Sequence, residues 1–219
     1  MILIGMFDSP FVRRVAVSMN LLGMAFDHRN WSVGKDFELI RQFNPLGRVP
    51  TLVQPDGETL IESAAILDFL DEHAGPERAL MPRSGKDRRD ALRIMAVATG
   101  AAEKGVSQVY ETVFRPAEKR YRPWTERCHI QMHAALAELN RVSYARAGDW
   151  LVGNRMTQAD ITATCVYTFL VEALDIPNAT AAYPGLAAIA QRCEGLAEFS
   201  ASKTEFFPPA EDGALRENG

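Results

Sequence analysis

The first residues, MILIGMFDSPFVRRVAVSMNLLG from Met1 to Gly23, decide the fold. Met1 to Met6 is a short apolar run that reads as a buried strand. From Pro10 to Leu22 the apolar residues Phe11, Val12, Val15, Ala16, Met19 and Leu22 recur at helical spacing. Gly23 ends that helix, because glycine tolerates the left-handed backbone that closes a helix. A strand feeding directly into a helix is the opening of an α/β unit. Phe26 to Trp31 reads as a weaker second strand and Asp36 to Phe43 as a short helix. Thr51 to Gln54 and Glu58 to Ile61 flank Pro55-Asp56-Gly57, a strong hairpin turn. Ala64 to His73 supplies a further helix, with Ile66, Phe69 and Leu70 on one face and Gly75-Pro76 beyond its end.

The expected order is therefore β-α-β-α-β-β-α. Beyond it strand signals disappear and long helical patterns take over, over Asp87 to Phe114 and Trp124 to Ala147. The reading is α/β followed by all-α. Residues 1–77 form the first unit, 78–86 a linker, 87–208 an all-helical unit and 209–219 a flexible tail. Thr157-Gln158-Ala159-Asp160 has the spacing of a capping box, Thr157 at the helix start and Asp160 reaching back. Met156 and Ile161 stand at the staple positions of a buried helix running to about Ala173. This box is read as structural.

Composition narrows the function. Of 219 residues 47% are hydrophobic and 24% charged, an ordinary globular balance that excludes disordered and low-complexity chains. The 24 Lys+Arg against 28 Asp+Glu leave a net charge of -4, which argues against general nucleic-acid binding and against a polybasic membrane anchor. No signal peptide and no membrane-spanning run is read. Cys128, Cys165 and Cys193 are odd in number and lack a C-x-x-C, so neither a disulfide framework nor a zinc site is expected and a reducing cytoplasm fits. His129 and His133, four apart on an expected helix, could share a metal, but no carboxylate triad accompanies them and they read as surface residues.

The residues that could carry chemistry lie at the corners of the α/β unit. Ser9-Pro10-Phe11 stands where strand becomes helix. Serine at the cap and proline in the first turn suit a helix start for its own sake. The same geometry sets a hydroxyl donor beside free backbone N–H groups and the positive helix end, which would stabilise a thiolate. In Asn44-Pro45-Leu46-Gly47-Arg48-Val49-Pro50-Thr51-Leu52, a cis Val49–Pro50 bond would present the N–H and C=O of Val49 to an extended peptide, the plainer explanation being a loop proline. Glu62-Ser63 precedes a helix. Ser63 is a natural N-cap, and equally its hydroxyl would hold a carboxylate while Glu62 takes an ammonium, the head of an amino acid.

With Ser9-Pro10-Phe11, the Val49-Pro50 stretch, Glu62-Ser63 and the Thr157 to Asp160 box in this order and at these distances, the chain resembles a glutathione transferase over nearly its whole length. Arg115-Pro116 followed by Trp124 is most similar to a bacterial branch of that family. The resemblance implies a thioredoxin-like N-terminal domain that binds glutathione as co-substrate without a metal. It further implies an all-helical C-terminal domain that receives a small hydrophobic electrophile, and a homodimer with no nucleic-acid or membrane partner. Carried over to this sequence, Ser9 donates to the glutathione sulfur and is the catalytic residue. Val49, before Pro50, pairs with the cysteinyl backbone, Glu62 and Ser63 hold the γ-glutamyl group, and Arg48 neighbours the glycyl carboxylate. A serine where reductase-like relatives carry cysteine weakens thioltransferase readings. Phe7 stands where many relatives have tyrosine.

For the electrophile pocket the candidates are Phe7, Phe11, Tyr110, Phe114 and Trp124, bulky residues near the junction of the two units, with helical-core packing as the alternative. Arg115, Lys119, Arg120, Arg122 and Arg127 would make a positive mouth or a solvated helix end. Three functions follow: conjugation of the thiolate to an electrophile, peroxidase or thiol lyase or reductase chemistry on the same site, and a non-catalytic binding or regulatory protein.

Overall fold

A computed structural model describes residues 1–207, so the tail expected over 209–219 lies outside the described residues. The chain opens with β1 (Ile2–Ile4), α1 (Pro10–Leu21), β2 (Asp27–Arg29), α2 (Phe37–Arg41), β3 (Thr51–Val53), β4 (Thr59–Ile61) and α3 (Ser63–Ala74). The sheet order is β2-β1-β3-β4. β1 runs parallel to β2, with Leu3 opposite His28, and antiparallel to β3, with Leu3 opposite Leu52; β3 and β4 form the hairpin around Pro55-Asp56-Gly57. This small mixed sheet is thioredoxin-like, in the expected order. β1 is flanked on both sides and sealed, Leu3 and Ile4 being fully buried, which is why its run is apolar without alternation.

One glycine makes the corner after β1 possible. Gly5 has φ 131°, and a Cβ there would stand 2.5 Å from Val12 Cγ2 and 2.8 Å from Val49 Cβ. Only a residue without a side chain lets the end of β1 approach both the first turn of α1 and the Val49 loop.

The remainder is helical: α4 (Gly85–Val113), α5 (Arg122–Ala145), α6 (Gln158–Leu174), α7 (Ala179–Ala182), α8 (Pro184–Glu194) and α9 (Ala197–Ser200). The sequence pattern marks α4, α5 and α6 to within about two residues at each end, while α7 and α9, of four residues each, carry no period and the eleven-residue α8 is not delimited in the sequence reading. Small residues on α4, Ala98, Ala101, Ala102 and Gly105, line the face against α6; a Cβ on Gly105 would stand 2.2 Å from Leu170 Cδ2. α6 is apolar almost all round and passes through the centre of this core, as expected of a helix buried on every side.

The start of α6 is held by the expected capping box. Thr157 Oγ1 accepts from the Ala159 N–H at 3.2 Å, and the Asp160 carboxylate accepts from Thr157 N at 2.9 Å, Thr157 Oγ1 at 3.0 Å and Leu151 N at 2.7 Å. Asp160 is fully buried, so these donors have no water to turn to if it is lost. Asp160→Ala leaves them unsatisfied and costs about 3 kcal/mol or more. Thr157→Ala costs about 1 kcal/mol as a lost cap. Urea unfolding of the two variants gives that order; equal losses contradict the assignment.

Candidate functional site

α1 begins at the bottom of a cleft between the sheet unit and the helices. Ser9 caps it with extended backbone (φ -70°, ψ 123°), and its Oγ accepts from the Val12 N–H at 3.5 Å, a long bond that leaves the hydroxyl proton uncommitted. Pro10 follows in the first turn, where its missing N–H costs nothing. Ser9 lines a cleft of about 560 Å³ together with Met6, Asp8, Phe11, Trp31, Arg48 and Val49 from the sheet unit. The opposite wall is Val106, Val109, Tyr110, Val113 and Phe114 of α4 and its end, with Phe169 of α6 and Phe206 beyond. Tyr110 and Phe114 meet edge to face at 5.1 Å, the arrangement that aromatic quadrupoles favour. One side of the cleft therefore offers a hydroxyl at a helix N-terminus, and the facing side is mostly apolar and aromatic, interrupted by Glu103 and Ser107 of α4.

The Val49–Pro50 peptide is cis. Asn44 Nδ2 donates to the Arg48 carbonyl at 2.8 Å and braces the loop before it. The N–H and C=O of Val49 make no hydrogen bond among the described residues. On the far side of Arg48 stands Glu62, whose carboxylate is 3.4 Å from the Arg48 guanidinium; both side chains are more than half exposed, so this pair is worth about 0–1 kcal/mol and yields readily. Glu62 has φ 67°, in the left-handed region that costs a non-glycine residue energy. It sits at the N-cap of α3 with no side-chain capping bond, and Ser63 is the first helical residue rather than the cap expected of it. The Ser63 hydroxyl is used differently: its Oγ accepts from Arg14 Nη2 at 2.7 Å.

The structure thus sets Ser9, Phe11, Arg48, Val49, Tyr110 and Phe114 on one cleft. Pro50, Glu62 and Ser63 are not among its lining residues and extend the site past Arg48. Phe7 and Trp124 stand elsewhere. Phe7 is stacked on His28 at 3.8 Å, with interplanar angle 3°, and packs into the core of the sheet unit. Trp124, at the start of α5, is 41% exposed under the ammonium of Lys104, 5.4 Å from the ring centroid. Arg115, Lys119, Arg120, Arg122 and Arg127 are not among the cleft-lining residues either. Arg115 pairs with Glu111 at 3.1 Å, Arg122 pairs with Glu126 at 2.6 Å, and Arg120 donates to the carbonyls of Thr112 and Arg115. The run is a solvated helix end. His129 and His133 face each other at 4.1 Å, but His133 Nδ1 is bonded to the Tyr183 hydroxyl, and no group of three potential metal ligands occurs among the described residues.

The three cysteines are free and buried, and burial pushes Cys165 and Cys193 each up to about 12, so neither is a thiolate near neutral pH. Two residues of the site escape the sequence reading. Asp8 stands beside Ser9 on the cleft, and Arg14 lies beneath Ser63. The signal for Arg14 was the Arg13-Arg14 doublet interrupting an otherwise apolar helix; for Asp8 it was a carboxylate directly before the Ser-Pro start. Burial pushes the Asp8 carboxyl up to about 6, against the pull of the Ser9 backbone N–H, which favours the charged form.

Solved structures and sequence relatives match this architecture. Residues 3–78 match the family description Glutathione S-transferase, N-terminal domain, and residues 108–197 match Glutathione S-transferase, C-terminal domain. The uncharacterized GST-like protein YibF of Escherichia coli (strain K12) is 32% identical over 118 residues, 54% of this chain and 57% of that protein, so the chain spans little more than half of that relative. A glutathione S-transferase of Methylobacterium radiotolerans, in complex with glutathione sulfonate, superposes with a TM-score of 0.87 at 27% identity over 94% of this chain and 95% of that one. One from Methylobacillus flagellatus with GSH bound gives 0.84 at 25% identity over 92% and 98%.

The raised Asp8 carboxyl has a stability consequence of definite sign. An unfolded aspartate titrates near 4, so between about pH 4 and pH 6 the folded chain holds a proton that the unfolded chain has released. Protonated Asp8 therefore favours the fold below about pH 4, and this contribution is lost as the pH rises to about 6. Urea unfolding of the wild type against Asp8→Asn should show the wild type losing relative stability across that interval and no further above it. A difference that is constant with pH contradicts the placement.

Proposed function

Because this chain belongs to the glutathione S-transferase family, we propose that it binds glutathione with the thiol at Ser9 and attaches the sulfur to a small hydrophobic electrophile held against the aromatic wall. The observation that carries this reading is the Ser9 hydroxyl, loosely engaged within its own helix and placed at the head of α1 in a cleft whose far wall is Tyr110, Phe114 and Phe169. Val49, with unengaged N–H and C=O, pairs with the cysteinyl backbone beside Pro50. Glu62 takes the γ-glutamyl ammonium, Ser63 its carboxylate, and Arg48 the glycyl carboxylate once it leaves Glu62. The homodimer, the cytoplasmic setting, a detoxifying role and the absence of a metal requirement rest on the family resemblance. No helix among the described residues is long and apolar enough to cross a membrane.

The chemistry is that of a stabilised thiolate. A free thiol has a pKa near 8.5 and only its anion is a good nucleophile. The Ser9 O–H donates to the sulfur, and the positive end of α1 lies beside it, so both favour the anion without either removing the proton. Lowering the thiol by about two units makes most of it thiolate at pH 7, at about 1.4 kcal/mol per unit. The thiolate lone pair then forms the C–S bond while the electrophile's leaving group departs with the bonding pair, or while an activated double bond takes the pair and a proton from water. Phe11, Val109 and Val113 exclude water from the reacting carbon.

Ser9→Ala removes one donor aimed at developing charge and should lower turnover about 10²-fold with little loss of glutathione affinity. Unchanged turnover with a general aromatic electrophile would take Ser9 out of the mechanism. Glu62→Ala should raise KM for glutathione more than it lowers kcat; an equal effect on both contradicts its role. The function as a whole is tested by titrating the bound glutathione thiol through its thiolate ultraviolet absorbance. A pKa well below that of the free thiol supports conjugation, and screening electrophiles beside peroxides and glutathione thioethers then separates conjugation from peroxidase and lyase chemistry. Binding without depression supports a non-catalytic protein, and no binding ends the glutathione reading.

A further inference from the structure

α1 carries two neighbouring buried arginines whose charges are treated differently. Arg13 is 4% exposed and makes a bidentate pair with Glu194, Nη1 and Nη2 each 2.7 Å from a carboxylate oxygen, with further donation to the carbonyls of Phe199 and Ser202. Arg14 is 2% exposed and has no carboxylate partner among the described residues. Its guanidinium donates from Nη2 to Ser63 Oγ at 2.7 Å and, weakly, from Nη1 to Thr162 Oγ1 at 3.3 Å, while its buried Nε has no partner. A buried cation left with two hydroxyls and an orphaned donor is costly unless an anion approaches it. Burial draws Arg14 down to about 10, offset only in part by the Glu62 carboxylate, which forms no ion pair with it, and the group stays charged at neutral pH.

Ser63 shows where that anion belongs. An arginine can only donate, so Ser63 Oγ must accept, and the hydroxyl proton is left to point away from Arg14. Ser63 makes no donation of its own among the described residues, and it is the first residue of α3, where the backbone N–H groups have no helical partner. A carboxylate seated there meets the hydroxyl proton, the free N–H groups and, one bond further in, the buried charge.

We propose that Arg14 is the positioning residue for the γ-glutamyl carboxylate of glutathione: it fixes the Ser63 hydroxyl as an outward donor and its unneutralised charge is completed by that carboxylate. This rests on the glutathione reading above, and it says which end of the ligand the buried charge selects. A chain with a neutral residue at this position would discriminate little between a carboxylate and its amide.

The test compares glutathione with an analogue in which the γ-glutamyl carboxylate is a carboxamide, by isothermal titration calorimetry. The wild type should bind the carboxamide at least tenfold more weakly than glutathione. Arg14→Met should lose at least tenfold in affinity for glutathione while its affinity for the carboxamide stays within about twofold, and Arg14→Lys, which keeps the charge but not the fork, should recover part of the loss. An equal loss for both ligands in Arg14→Met makes Arg14 a packing residue only and overturns the proposal. Should Arg14→Met fail to fold, the wild type decides alone: the guanidinium ¹⁵N resonances of Arg14 shift when glutathione binds and stay in place with the carboxamide, and an identical response to both overturns the proposal. Failure of the wild type to bind glutathione at all is a different result, which removes the glutathione reading itself.

Discussion

The bidentate contact between Arg13 and Glu194 is the interaction on which the arrangement of the cleft depends. It reaches from α1, the helix that carries Ser9, to the end of α8, and Glu194 also accepts from Thr168 of α6 at 2.7 Å. Burial works against the Glu194 carboxylate, but the Arg13 and Thr168 bonds outweigh it and hold the group below its ordinary value. Removing one partner from such a pair leaves an uncompensated buried charge at a cost of about 3–5 kcal/mol. That cost belongs to the stranded charge rather than to the pair, and what the pair itself supplies is direction. Two parallel N–H···O bonds fix the rotation of α1 about its own axis, and that rotation determines that Ser9 faces the aromatic wall.

From that fixed helix the division of labour follows. The sheet unit supplies every group that would hold a peptide-like ligand: a hydroxyl at a helix start, an unengaged backbone at Val49, and charged or hydroxyl side chains at the head of α3. The helical unit supplies mostly apolar surface, with Glu103 and Ser107 of α4 on the same wall. Gly5 joins the two requirements, since the close approach of β1, α1 and the Val49 loop around it brings Ser9 and Val49 onto the same cleft. In the proposed function a peptide-like first ligand would be selected by polar groups on rigid elements. A second, apolar ligand would meet mainly shape and aromatic faces, which discriminate among apolar compounds by only a few kcal/mol at most.

Much of the fold was legible because its signals are local. The β-α opening, the hairpin at Pro55-Asp56-Gly57 and the box at Thr157 each turn on residues within a few positions of one another. α7 and α9, of four residues each, carry no period to read, and the edge strand β2 is shorter than the Phe26 to Trp31 expected of it, since only Asp27 to Arg29 pair with β1. In the site, Ser9, Val49 and the Glu62-Ser63 pair were visible as types at spacings. What the sequence could not show is burial: that Arg14 lacks a counter-charge, that Ser63 serves Arg14 rather than its own helix, and that Phe7 turns to stack on His28 away from the cleft. Trp124 reads as a pocket candidate for its bulk and its place near the junction of the two units, whereas the structure sets it at the start of α5 against Lys104.

The segment between the two units is fastened along its length. The Asp71 carboxylate accepts from the N–H groups of Leu80 and Met81, the Gln158 N–H donates to the Leu80 carbonyl, and Arg155 donates to the carbonyls of Glu77 and Ala79. A connection tied at both ends to the start of α6 and to the body of α3 transmits disorder as readily as it transmits order. Loosening the first turn of α6 frees the segment, and freeing the segment uncovers Asp71 and the flank of α3. The segment is thus a surface shared by both units, and whatever loosens the first turn of α6 acts on the flank of α3 as well.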